Sequence, residues 1–113
     1  MKRTQITIYT KFGKIEECNK FYAIKNEDVI KYIDLENNKM IIDMQNNTLL
    51  RENSDYIFNL DFDKEIIFIE MKKLRKKIEK SIKTLKIEKN KKSFLIRYKL
   101  IDEREINEYY VKF

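Results

Sequence analysis

The residues with the most chemistry in their spacing are Asp63 and the triplet Glu70-Met71-Lys72, on either side of the apolar run Ile66-Ile67-Phe68-Ile69. An acid, an apolar strand and then Glu-x-Lys can hold a Mg²⁺ between the two carboxylates while the lysine orients or activates the attacking water, the chemistry of metal-dependent phosphodiester hydrolysis. The competing reading is a hairpin turn at Asp63-Lys64 with surface ion pairs around it, each contributing well under ~1 kcal/mol. A Lys-rich chain produces Glu-x-Lys often, so no catalytic residue and no metal ligand is assigned.

A second candidate is the segment Lys72–Lys92, with eleven Lys or Arg residues against two acids, a local charge of +9 in a chain of net charge +6. Lys72, Lys73, Arg75, Lys76, Lys77, Lys80 and Lys83 are its nucleic-acid-binding candidates, acting on phosphates. The segment contains no aromatic side chain on which a base could stack, and only one arginine, the better bidentate phosphate ligand. A solvated lysine face is therefore the favoured reading, and any nucleic-acid affinity is expected to be weak and salt-sensitive. Arg51 is a third candidate, an anion-holding group near a strand end whose alternative is an ion pair with Glu52 or Asp55. Cys18, the one cysteine, reads as a small buried hydrophobe, since no histidine exists to activate it.

The missing histidine narrows function further. It removes Ser-His and Cys-His nucleophiles and His-ligated zinc, and a single glycine with no proline leaves nothing for a Gly-rich phosphate loop. The expectation is a protein that is not an enzyme and carries no cofactor. With one cysteine there is no disulfide framework, which favours a reducing compartment. Neither a signal-peptide core nor an apolar stretch of spanning length occurs, so the expected location is cytoplasmic, without a membrane partner.

The elements that must position these residues read as strands. The chain has 113 residues, 42% of them hydrophobic, with seven Tyr and seven Phe, which suits one packed domain over residues 1–113. Short β-rich runs succeed one another: Arg3–Phe12, Ile15–Ile24, Val29–Leu35, Lys39–Met44 and Thr48–Glu52. Tyr56–Phe62 and Phe94–Leu100 alternate most cleanly, with Tyr56, Phe58, Leu60, Phe62, Phe94, Ile96, Tyr98 and Leu100 on the inner face and Asn59, Asp61, Arg97 and Lys99 on the outer. A last run, Ile106–Phe113, closes the chain. Asn- and Asp-rich clusters separate the runs and supply the positive-φ turn residues that glycine would otherwise provide. Strands of such even spacing build an up-and-down sheet or barrel. Residues 70–88 are ambiguous, because Met71, Leu74, Ile78 and Leu85 also fit a basic amphipathic helix. Read as strands, they require a turn near Leu74–Lys77 and a β-bulge near Lys83-Thr84 to restore parity.

The pattern Ile82-Lys83-Thr84-Leu85-Lys86-Ile87, a polar turn, Phe94-Leu95-Ile96-Arg97-Tyr98-Lys99-Leu100 and a closing Tyr110-Val111-Lys112-Phe113 resembles the YwiB-like family of small bacterial calycin-type β-barrels of unknown function. Thr84 and Tyr98 stand at that family's spacing between a hydrophobic-x-Thr strand and an x-Tyr-x-Leu strand, and Leu50-Arg51-Glu52-Asn53 resembles its strand ending in Arg. The family's glycine after that Arg and its extended turn before the Thr strand are absent here. The resemblance implies residues 77–89 as a strand and an all-β, antiparallel up-and-down calycin/lipocalin-like barrel of about ten strands, and it brings no catalytic residues.

Such a barrel can enclose one small apolar or amphipathic ligand, or fill with its own side chains. The ligand-binding candidates are Arg51, Tyr56, Phe58, Thr84, Phe94, Ile96 and Tyr98. The partners expected are thus a small apolar ligand or, as the alternative, nucleic acid weakly held. Ile57 beside Ile67 and Ile69 on an edge strand would favour a homo-oligomer.

Overall fold

The computed structural model describes residues 2–113, and every regular element among them is a strand. The strands are β1 (Lys2–Phe12), β2 (Ile15–Asn26), β3 (Val29–Ile33), β4 (Lys39–Asp43), β5 (Thr48–Glu52), β6 (Tyr56–Asp61), β7 (Ile66–Met71), β8 (Lys76–Lys89), β9 (Ser93–Leu100) and β10 (Asn107–Lys112). Each pairs antiparallel with its sequence neighbours, and β10 returns to β1, so the chain closes on itself as a ten-stranded up-and-down barrel. Two-residue alternation makes this possible. Ile6 and Ile8 on β1, Ile30 and Tyr32 on β3, Met40 and Ile42 on β4, and Phe94, Ile96 and Tyr98 on β9 all turn inward and are buried. The residues between them face water. Residues 70–88, which periodicity left open, are the end of β7, a tight turn and β8, and no helix forms there.

With one glycine and no proline, the turns depend on side-chain oxygens. Asp43 Oδ1 accepts from the N–H groups of Gln45 and Asn46, while its Oδ2 accepts from Asn46 Nδ2 at 2.8 Å. Asp61 Oδ1 likewise receives Asp63 and Lys64, and Asn53 Oδ1 receives Asp55 and Tyr56. These are Asx turns, in which a short polar side chain replaces a backbone acceptor. Positive φ occurs at Asn37 and Asn47, as the composition predicts, but also at Glu27, Glu65 and Arg75, where the hairpin geometry imposes it on a residue ill suited to it.

The two ends of the barrel differ. At the end holding the β2–β3, β4–β5, β6–β7 and β8–β9 turns, Phe62, Phe94, Ile6, Ile30, Ile42, Ile82 and Val111 are almost wholly buried and form a solid plug. Neighbouring turns there are stitched together, Met44 N–H to the Asp28 carbonyl at 2.8 Å and Phe62 N–H to the Asn47 carbonyl at 3.0 Å. At the opposite end the inward positions carry Phe12, Ile15, Leu35 and Ile78, all of which remain exposed. The barrel is packed at one end and open at the other.

Several expectations change in detail. The bulge expected near Lys83-Thr84 is present and lies at Leu85, between the pairs Thr84↔Tyr98 and Lys86↔Arg97. It leaves Leu85 exposed and brings Ile87 to the inner face opposite Ile96, on the same side as Ile82. Cys18 is exposed on the outer face of β2, because its parity sets it opposite Tyr9 outside the wall. Ile67 and Ile69 point inward, so they do not join Ile57 on an exposed edge, and β7 is paired on both sides. Arg51 pairs with Glu36, not with Glu52 or Asp55, whose partners are Lys72 and Lys73.

Candidate functional site

The open half of the barrel forms a cup of about 580 Å³, within the ~300–1,000 Å³ of typical small-molecule sites. Its floor is built from inward residues of six strands: Ile8 on β1, Met40 on β4, Leu49 on β5, Leu60 on β6, Ile67 on β7 and Tyr98 on β9. A barrel of ten strands is wide enough that these side chains do not meet across the middle. Higher up, the wall consists of Phe21, Phe58, Ile69 and Leu100, and the rim of Phe12, Ile15 and Leu35.

The polar groups in this apolar bowl are few. Tyr32 from β3 and Tyr109 from β10 share a hydrogen bond between their hydroxyls. The Tyr32 ring also packs on Phe21 with centroids 4.9 Å apart, and the Tyr98 ring on Phe62 at 5.2 Å. Burial pushes the Tyr32 phenol up to about 12, against the smaller opposing pull of the Tyr109 hydroxyl and of Arg51. Burial alone raises Tyr98 to about 12, and burial raises Tyr109 well above the ordinary tyrosine value. All three therefore remain neutral hydroxyls at physiological pH, able both to donate and to accept.

At the mouth, Arg51 Nη2 donates to Glu36 Oε2 at 2.9 Å. Glu36 is fixed by the β3–β4 loop, where Asp34 Oδ1 accepts from the N–H groups of Glu36 and Asn38 and Asp34 Oδ2 accepts from Asn38 Nδ2. Asn38, almost fully buried, in turn accepts from Asn53 Nδ2 at 3.0 Å, which ties two open-end loops together. The acids near Arg51 are thus committed, yet Arg51 Nε is buried and has no partner. Among the described residues it is one of few such atoms, and it belongs to a residue that lines the cup. Lys80 of β8 and Glu17 of β2 also line the cup, and both are exposed.

Of the ligand-binding candidates, the structure brings Arg51, Phe58 and Tyr98 together in the cup. Phe94 and Ile96 face inward but belong to the wholly buried core beneath it. Thr84 takes a structural position, its Oγ1 donating to the Phe62 carbonyl at 2.7 Å beside the bulge. Tyr56 sits at the open end, 41% exposed, with its ring against Phe58 and outside the lining. Sequence reasoning missed Tyr32, Tyr109 and Glu36. The two tyrosines lie 77 residues apart, and their meeting needs the register that closes β1 on β10.

The nucleic-acid candidates do not form one free face. Lys72 bonds Glu52 at 2.8 Å, Lys73 pairs with Asp55 at 3.1 Å and Lys77 reaches Glu70 at 4.0 Å. Lys80 turns to the cup mouth, while Arg75, Lys76 and Lys83 are exposed with no acid beside them among the described ion pairs. Asp63, in the turn before β7, and Glu70, at its far end, are separated along the chain by a strand whose backbone from Ile66 to Glu70 spans about 13 Å. Asp63 instead accepts from Asn47 Nδ2 across the packed-end turns. No family model, curated protein or solved structure matches the chain.

Proposed function

We propose that the barrel binds a small amphipathic molecule, its apolar body in the cup and an acceptor-bearing head at Arg51, and that it is a binding protein without catalytic activity. The observation carrying this reading is the half-filled interior: a solid plug below and, above it, a mostly apolar bowl of about 580 Å³ whose lining includes Arg51, a residue with a buried, unpartnered Nε. Evolution of a merely structural barrel would be expected to fill such a space, because core voids lose dispersion contacts and weaken the fold. A buried donor without a partner costs about 1–3 kcal/mol, a cost that a shift of the Arg51 side chain toward a ligand carboxylate, phosphate or carbonyl would remove. The three neutral phenols add hydrogen-bonding groups at fixed points on the floor and wall, which orient a ligand without demanding a charge.

We read the barrel as calycin-like and of the small bacterial type. The cytoplasm suits it, since Cys18 is an exposed free thiol with no disulfide partner. Native mass spectrometry of freshly purified protein tests the binding function. The expected result is a discrete adduct of small-molecule mass that dissociates on activation and is absent from an Ile67→Trp variant, whose indole would occupy the cup. A spectrum of bare protein only, under conditions that preserve lipid adducts of a control carrier, would count against it. An oligonucleotide adduct lost in salt would point to the Lys72–Lys92 side instead.

A further inference from the structure

The closed wall has one weak seam. β2 is paired with β1 continuously from Ile15 to Lys25, yet β3 pairs with β2 only at Ile24, Lys25 and Asn26. Beyond that point β3 diverges, and the β2 edge from Ile15 to Ala23 has no strand beside it. Antiparallel alternation says which groups are left open. Phe12 and Ile15 flank the two-residue turn Gly13-Lys14, so that pair exchanges both of its backbone bonds, and so do the pairs made by Glu17 and Asn19. Glu16, Cys18, Lys20 and Tyr22 therefore turn N–H and C=O away from β1. Ile24 and Asn26, the next of that set, are two of the residues β3 takes. No turn or loop hydrogen bond among the described residues reaches the backbone between Glu16 and Tyr22.

An open strand edge is a template for another strand, and proteins usually blunt such edges with charge. Here the charges have a pattern: Glu16 and Lys20 stand two residues to either side of Cys18, all exposed on the outer face. We propose that this edge pairs antiparallel with the same edge of a second copy of the chain about a twofold axis at Cys18. In that register each Glu16 stands opposite the second copy's Lys20, Cys18 opposite Cys18, and on the inner face Ile15 meets the second copy's Phe21. Opposite charges directly across an antiparallel pair are favourable, and the self-complementary arrangement is what a twofold interface requires. The backbone phase agrees, because the residues brought opposite each other on the outer face are those with free N–H and C=O groups. Other registers are poorer. A twofold at Lys20 sets lysine against lysine, one at Glu16 sets glutamate against glutamate, and one at Glu17 does the same on the inner face. The charges that discourage pairing with unrelated strands thus select this one partner and register.

Sedimentation velocity over a concentration series tests the proposal on the full chain. Wild type is expected to show a concentration-dependent monomer–dimer equilibrium. Glu16→Lys or Lys20→Glu alone should weaken it about tenfold, since each disrupts two symmetry-related pairs, and the double exchange should restore it to within about threefold. Mild oxidation should trap the dimer as a Cys18–Cys18 disulfide, because opposed residues in a bonded pair lie about 5.5 Å apart, inside disulfide range. Both substitutions are at exposed positions, and circular dichroism confirms folding. A wild type that stays monomeric, single variants that dimerise unchanged, or a double exchange no better than the singles would overturn the proposal.

Discussion

Tyr32 and Tyr109 show how much a single atom decides in this barrel. Their hydroxyls are buried and satisfied by each other. Tyr109→Phe is expected to cost about 1–2 kcal/mol in urea unfolding, because it leaves the Tyr32 oxygen without its partner. The double change Tyr32→Phe with Tyr109→Phe should recover part of that loss. The same residues set an alkaline limit. Their folded values lie above the unfolded value near 10, with Tyr32 and Tyr98 at about 12, so the unfolded chain loses protons that the folded one keeps. Stability is therefore fully present below pH ~10 and falls as pH rises toward 12 and beyond. The check is tyrosinate absorbance at 295 nm against circular dichroism: these phenols should ionise together with the loss of the barrel signal. At Arg51, replacement by Met should weaken binding of an acid-headed ligand about tenfold while leaving a neutral one less affected.

At the level of strands and turns, the hairpins carry strain that can be removed. Arg75 is held at φ 49° and Glu27 at φ 54°, where glycine would be comfortable. Arg75→Gly is expected to stabilise the protein by about 0.5–1 kcal/mol, read as a rise of a few degrees in Tm. Asp43→Ala should act in the other direction by about 1 kcal/mol, since it leaves the β4–β5 turn without its acceptors. Asp43 is pulled below the usual carboxylate range by the hydrogen bonds of Asn46 and Gln45, which outweigh the opposing effect of burial. Its contribution is thus present above the unfolded carboxylate value and lost as pH falls through the folded one. This is also the scale at which the sequence was most readable. Tyr56–Phe62 and Phe94–Leu100 announce their strands by alternation alone, and Asn/Asp clusters mark the turns between them. Residues 70–88 were not readable by period, because a bulged strand and an amphipathic helix space Ile78, Ile82 and Leu85 almost alike; the parity break itself was visible, one residue from Leu85. Cys18 was misplaced for a related reason: alternation fixes which residues share a face but not which face is buried when both carry polar groups.

For the whole molecule, the decisive property is the difference between its two ends. Inward-facing residues could be named from sequence, but not where along the axis they would meet and where they would stop short. Phe94 and Phe58 look equivalent in a pattern, yet one is wholly buried in the plug and the other lines a cavity wall. The polar contents of the cup depend on registers between distant strands, which no local spacing reveals. The division has a mechanical consequence. Phe94→Ala should cost about 3–5 kcal/mol by opening a cavity in close-packed surroundings. Leu60→Trp in the cup should be far better tolerated, because it grows into space already empty. Titration of 1-anilinonaphthalene-8-sulfonate, an apolar anion, into wild type and Leu60→Trp tests the cup most directly. Saturable one-to-one binding to the native wild type, lost in a Leu60→Trp variant that keeps its fold, is the expected result. Binding that is absent in wild type, or equal in both proteins, would contradict it.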